Sequence, residues 1–131
     1  MKNILFLAIS FFIFQIISAQ DPTNVSNDIV YNTAGVEVKP EFPGGYDEFY
    51  KFIGNNYKTP NVRGLAGKVY VSFVIEKDGS VTEIKVLRDI GYGTGKEAVR
   101  VLELCPNWIP GEQDGRKVRC AFSLPISIQT R

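Results

Sequence analysis

The segment from Lys68 to Glu76 constrains the fold more than any other part of this sequence. Apolar and polar residues alternate along it, so that a strand here would carry one set of side chains on each face. The apolar set is Val69, Val71, Phe73 and Ile75. Asp78-Gly79 follows, and glycine supplies the positive φ that a tight hairpin turn needs. A return strand over residues 81–87 is therefore predicted to pair antiparallel with the first, since so short a turn allows no other arrangement.

Two helices and a long final strand complete the predicted domain. Apolar residues at helical spacing predict a first helix over residues 46–56. Thr94 and Glu97 match a capping box, with Thr94 as the N-cap of a second helix that Pro106 ends. Alternation over residues 118–128 predicts the last strand. The predicted class is α+β, with two helices packed on a small three-stranded antiparallel sheet in the order α-β-β-α-β. Extended character over residues 29–42 leaves room for an extra N-terminal edge strand.

The first 19 residues have the pattern of a secretory signal peptide. Lys2 precedes an apolar run over residues 4–17, and Ser18-Ala19 supplies the small residues of a cleavage site. We expect cleavage after Ala19 and export to the periplasm. The alternative is an uncleaved anchor in the inner membrane that faces the periplasm, although a spanning helix takes about 20 apolar residues and this run is shorter. Residues 20–35 are predicted to form a short tether, and residues 36–131 the folded domain.

The composition excludes several classes of function. The chain has no histidine, and therefore lacks the commonest general base and the imidazole metal ligand. Its net charge of +1 gives no basic face for nucleic acid. The glycine-rich run at residues 91–96 departs from a phosphate-binding loop, because Ile90 replaces the first glycine and Glu97 follows Lys96. We therefore expect a protein that is not an enzyme and that uses no metal and no cofactor.

Cys105 and Cys120 leave two alternatives open. Both fall on predicted core faces, where free thiols pack as small apolar groups. Export would instead place the pair in an oxidising compartment where a disulfide is stable. Closing a loop of about fifteen residues would contribute about 3 kcal/mol in the chain-entropy model.

An ordered set of motifs spreads over about two thirds of the chain. It consists of Gly67-Lys68-Val69-Tyr70-Val71, Asp78-Gly79-Ser80-Val81, Glu97-Ala98-Val99, Trp108 with Pro110-Gly111, and Leu124-Pro125-Ile126. From Tyr57 to Ile128, and more loosely from Pro40, the chain resembles the C-terminal domain of TonB. The resemblance implies the two-helix, three-stranded fold and a protein-binding role.

The resemblance also implies a partner and a site. Domains of this family bind a short segment, the TonB box, of TonB-dependent outer-membrane transporters, and so take part in energy-coupled transport across the outer membrane. That segment adds as a strand beside the last strand of the domain. Carried over by position, the partner-binding residues are Val118, Arg119, Cys120, Ala121, Phe122 and Ser123. Pro125 has no N–H to donate and marks where such pairing weakens.

Two departures from the family pattern support a second hypothesis. A complete TonB has a membrane helix with a histidine that couples to ExbB and ExbD, followed by a long proline-rich spacer. This chain has no histidine, and only a short tether is expected, so coupling to ExbB and ExbD is not expected of it. The alternative is a secreted structural or assembly module that keeps the fold without energy transduction. In that case the segment Val36–Phe42 is expected to occupy the edge of the last strand.

Overall fold

The computed structural model describes residues 29–131, which form two α-helices, a short 3₁₀ helix and five strands. In chain order these are β1 (Val30–Asn32), a 3₁₀ helix (Thr33–Gly35), α1 (Tyr46–Asn56), β2 (Ala66–Ile75), β3 (Val81–Arg88), α2 (Thr94–Glu103), β4 (Gly111–Gln113) and β5 (Arg116–Gln129). The predicted signal peptide and the first part of the tether lie outside the described residues. Within residues 29–131, no helix has the length and apolar character needed to cross a bilayer.

The strands form one mixed sheet in the order β1-β5-β2-β3, with β4 paired to the start of β5. β5 runs antiparallel to β2 from Cys120, opposite Ile75, to Gln129, opposite Ala66. β2 and β3 form the predicted antiparallel hairpin. β1 lies parallel to β5 on the side away from β2. The α+β class and the two helices are confirmed, whereas a three-stranded antiparallel sheet is not what forms. Of the two additional strands, β1 is an N-terminal edge strand within the residues 29–42 that left room for one. Both strands are three residues long, too short to show a periodicity in the sequence.

The core lies between the two helices and one face of the sheet. The alternating residues of β2 that the sequence singled out are all buried, as predicted. Trp108 occupies the centre of an aromatic cluster, with ring centroids 4.8 Å from Phe49 of α1 and 5.6 Å from Phe122 of β5. Burying these large rings contributes about 1.5–3 kcal/mol for each phenylalanine, which fixes α1 over β5.

The start of α2 differs from the predicted capping box. Gly93, in the left-handed region at φ 74°, is the N-cap, and Thr94 is the first helical residue. The Thr94 hydroxyl donates to the carbonyl of Gly91 (2.7 Å) instead of accepting from a backbone N–H of the helix; the N–H of Glu97 donates to the carbonyl of Gly93 (3.0 Å). The Glu97 carboxylate accepts from the backbone N–H of Lys58 (3.0 Å) instead of from the N-cap. The prediction was wrong because left-handed residues at 91–93 turn the chain into the helix one residue earlier than expected.

Residues 30–42 cross the start of β5. The last part of the predicted tether is packed here, since β1 pairs with β5 and Val36 is buried against Val118 and Cys120. The segment Val36–Phe42 does not lie along the edge of β5. It is bridged to β4 at Val38 and to Ile109 at Glu41, so β1 takes the place at the edge that was expected of this segment.

Candidate functional site

One side of β5 is only partly covered. Its other side pairs with β2 from Cys120 to Gln129. On the uncovered side β1 pairs with Arg119–Ala121, and beyond Ala121 no strand of the described chain lies beside it. We call this uncovered side of residues 122–129 the open edge. A row of unpaired backbone groups of this kind is a ready template for a further strand.

Two observations show which backbone groups face the open edge. The N–H and C=O of one residue in a strand point to the same side, and successive residues alternate. Thr33, on the side of β1, donates its hydroxyl to the carbonyl of Ala121 (2.6 Å), so Ala121 faces that side. Pro125 lies an even number of residues further on, and a proline within a sheet sits where its missing N–H would face solvent. Ser123, Ser127 and Gln129 therefore present both N–H and C=O at the open edge, and Pro125 presents its C=O alone.

The side chains of β5 hold this edge in place. Leu124, Ile126 and Ile128 are buried in the core, whereas Ser123 and Pro125 are exposed on the opposite face. No residue of the open edge carries a charge. Native sheets commonly protect exposed edges with lysine or proline, and this one has Pro125 alone.

An aromatic pair and a shallow cavity lie at the head of the open edge. Tyr46, at the start of α1, stacks on Phe122 with ring centroids 5.9 Å apart and stays 48% exposed. Burial and then the neighbouring Tyr50 raise the pKa of the Tyr46 hydroxyl, so it stays protonated at neutral pH. A cavity of about 420 Å³ opens between Tyr46, Phe122 and the end of β1, with Lys39 in its lining. This corner can receive a side chain from a strand laid along the edge.

The structure divides the six residues predicted to bind a partner. Val118 pairs with Gly111 of β4, and Arg119–Ala121 are covered by β1. Phe122 and Ser123 begin the open edge. The sequence-based site did not include Ser127 and Gln129. Pro125 was the available signal, because a proline within a sheet marks the side of the strand that faces solvent.

Arg119 has a structural role on one face of the sheet. Its guanidinium donates to both carboxylate oxygens of Glu76 (2.7 and 3.0 Å) and lies 3.6 Å from the Glu83 carboxylate. The hydrogen bonds from Arg119 hold the pKa of Glu76 below its usual range, against the opposing effect of burial. The side chain thus ties β5 to the β2–β3 hairpin.

The two cysteines are free thiols in different places. Cys105 packs against the main core, and Cys120 lies in a separate cluster with Val36 and Val118. Burial raises the pKa of the Cys105 thiol to about 11 and also raises that of Cys120. Of the two alternatives left open by the sequence, the structure has the free thiols. In the part of the chain that the structure describes, no three acidic or thiol side chains are grouped to hold a metal ion.

Comparison with known proteins identifies the family. The model of the Gram-negative bacterial TonB protein C-terminal matches residues 61–127, half of the chain. The chain belongs to the TonB C-terminal domain family. Proteins named TonB from two strains of Helicobacter pylori are 38% identical to this chain over an alignment of 94 residues. The alignments cover 63% of this chain and 33% and 32% of theirs. The chain therefore spans about a third of the length of these curated relatives.

A solved structure from Helicobacter pylori is also similar to this chain. It is the NMR solution structure of the Helicobacter pylori TonB C-terminal domain, with 26% identity and a TM-score of 0.44 over 68% of this chain and 87% of that one. The family match includes β2, β3, α2, β4 and most of β5, with the open edge as far as Ser127. β1 and α1 lie outside it.

Proposed function

We propose that this domain binds an extended segment of another protein by strand addition along the open edge of β5. The partner is a TonB-dependent outer-membrane transporter or a TonB-box-like peptide strand, and the role is in energy-coupled transport. One observation carries the proposal. This member of the family has unpaired backbone groups at Ser123, Ser127 and Gln129, and the other side of the same stretch of β5 is fully paired with β2. Membership in this family supports the choice of partner and a periplasmic location, with which the predicted signal peptide agrees.

Main-chain hydrogen bonds supply the basic affinity in this mode of recognition. Each contributes about 0.5–1.5 kcal/mol net, whereas association costs about 4–15 kcal/mol. The few groups of the open edge therefore need support from side-chain contacts. Tyr46, which is exposed and stacks on the half-buried Phe122, provides an aromatic surface on the core side of the edge, where alternate side chains of an added strand would lie.

A backbone-methylated peptide tests the proposal without altering the protein. A TonB-box peptide is titrated into the domain by calorimetry beside a copy that carries N-methyl groups at alternate residues, which cannot donate to the edge. The proposal predicts binding of the first peptide and loss of at least about tenfold in affinity for the copy whose methyl groups face β5. The copy methylated in the other phase, with its methyl groups facing away from β5, serves as the matched control. Equal affinity for both methylated copies would refute strand addition.

Substitution at Ser127 gives a second test on the protein side. Ser127→Pro removes one N–H from the open edge, whereas Ser127→Ala keeps it and serves as the control. We expect weaker peptide binding by Ser127→Pro alone. Unfolding of each variant by urea shows whether the sheet is intact, and equal binding by two folded variants would count against this edge.

A second candidate function is a structural or assembly module without a receptor role. The observation that favours it is that β1 already occupies Arg119–Ala121, part of the edge. In that case a TonB-box peptide at high concentration would leave the backbone amides of Ser123 and Ser127 unchanged.

A further inference from the structure

We propose that the binding site has a concealed part, the backbone edge of Arg119–Ala121 beneath β1, which a ligand strand reaches by displacing residues 30–33. This inference rests on the proposed function and concerns the same side of β5. We call Arg119–Ala121 on this side the concealed edge.

β1 is weakly held along most of its length. It pairs through only Val30, Tyr31 and Asn32, in the parallel arrangement, which is slightly less stable per residue than the antiparallel one. Val30 is 37% exposed, and Ile29 before it is 52% exposed. Of these residues Tyr31 alone packs against a buried cluster, that of Val36, Val118 and Cys120.

Thr33 is the last residue that holds this segment on β5, and the pivot lies after it, before the buried Val36. Thr33 is buried, and its hydroxyl donates a hydrogen bond to the carbonyl of Ala121. Val36 is buried beyond it, while a Cβ placed on Gly35 would meet nothing within 4 Å. Residues 30–33 can therefore leave β5 by rotation at Ala34–Gly35 while Val36 stays in the core.

Displacement would replace each contact of β1 with a ligand contact of the same kind. A backbone N–H of the ligand would take the place of the Thr33 hydroxyl at Ala121, and the usable edge would grow from residues 122–129 to 119–129. Because hydrogen bonds are exchanged rather than gained, the free-energy difference is small. β1 reduces the apparent affinity for the ligand to the intrinsic affinity multiplied by the fraction of molecules in which β1 is unpaired.

The concealed edge also specifies a side chain. Tyr31 lies opposite Cys120 and packs on the apolar cluster around it. A ligand strand that replaces β1 must cover that cluster, and so carries an aromatic or large aliphatic residue at the position opposite Cys120. The ligand class is thus an extended peptide with a bulky apolar residue at the end that lies beside the start of β5.

Two peptides and three variants of the full chain test the inference. One peptide has about eight residues and spans the open edge; the other has about eleven, spans both edges and places the bulky residue opposite Cys120. Thr33→Val removes the hydroxyl bond to Ala121, Tyr31→Ala removes the packing, and Ile29→Ala is the control outside β1. We expect the long peptide to bind Thr33→Val and Tyr31→Ala about tenfold more tightly than the unaltered protein, with Ile29→Ala unchanged and the short peptide indifferent to all three.

Amide exchange of the complex supplies a readout that does not depend on affinity. Binding of the long peptide is expected to expose the amides of residues 30–32 while Ala121 stays protected. Retained protection of residues 30–32, or affinities for the long peptide that none of the variants changes, would overturn the concealed edge and leave strand addition at the open edge intact. Binding by neither peptide would overturn the proposed function itself, and the concealed edge with it.

Discussion

Pro125 interrupts the donors of the open edge, so replacing it should improve ligand binding. Pro125→Ala adds one N–H between those of Ser123 and Ser127. A single main-chain hydrogen bond is worth about 0.5–1.5 kcal/mol, which corresponds to about 2–12-fold tighter binding of a TonB-box peptide. Proline also restricts the unfolded chain, so the free energy of unfolding should fall by about 0.4–1 kcal/mol. Calorimetric titration gives the first quantity and urea unfolding the second, with Ser123→Ala, which keeps its N–H, as the control.

The opposite combination of results would refute the orientation assigned to β5. If residue 125 faced β2, its new N–H would bond to the strand that carries Tyr70, its partner in register. The free energy of unfolding would then be about 1 kcal/mol higher than in the unaltered protein, and the affinity for the peptide would not change. Tighter binding with slightly lower stability is the outcome that the open edge requires.

Three further predictions concern the scaffold. Gly79→Ala would place a Cβ 1.9 Å from the carbonyl oxygen of Trp108 at a φ of 86°, so we expect a loss of about 2–4 kcal/mol in the free energy of unfolding, measured in urea. Arg119→Met removes the hydrogen bonds that lower the pKa of Glu76. In the unaltered protein these bonds stabilise the fold at pH values above the ordinary carboxyl pKa near 4.3, and this stabilisation is lost as the pH falls through the lowered pKa. The free energy of unfolding of the variant should therefore decrease less between pH 6 and pH 2. The Cys105 thiol, with a pKa of about 11, is roughly 0.1% ionised at pH 8, so an alkylating reagent should label it only after denaturation, without reductant, as mass spectrometry would show.

The parts of the fold that the sequence predicted are those with a long, regular pattern. Along most of β2 and β5 buried residues alternate with more exposed ones, because one face meets the helices and the other meets solvent. Such alternation is visible in the chain itself, and the Asp-Gly turn specifies the hairpin locally. α1 was predicted with the bounds it has, since Phe49 and Ile53 at helical spacing form its buried stripe.

The sequence did not define the two short strands. It left room for an edge strand within residues 29–42, but which three residues form β1 depends on pairing with residues almost ninety positions away. β4 pairs with the nearby start of β5, and its three residues are too few to show the alternation of a strand. The choice between Thr94 and Gly93 as N-cap depended on the left-handed backbone of the preceding turn, which a capping-box pattern does not report.

The candidate site shows the same division. Its strand was predicted, but the free part of that strand was not, because coverage by β1 is a property of the folded chain. Carrying the family site over by position therefore selected Val118–Ala121, which neighbours cover, together with Phe122 and Ser123, which they do not.

Backbone amide exchange along β5 tests strand addition most directly. In the free domain the amides of Ser123, Ser127 and Gln129 should exchange rapidly, while those of Leu124, Ile126 and Ile128, which face β2, should exchange slowly. On addition of a TonB-box peptide the amides of the first group, which face the open edge, should become protected from exchange. The exchange rates of the second group should not change. Uniform slow exchange at all six amides in the free domain, or no added protection with saturating peptide, would contradict an open edge that accepts a strand.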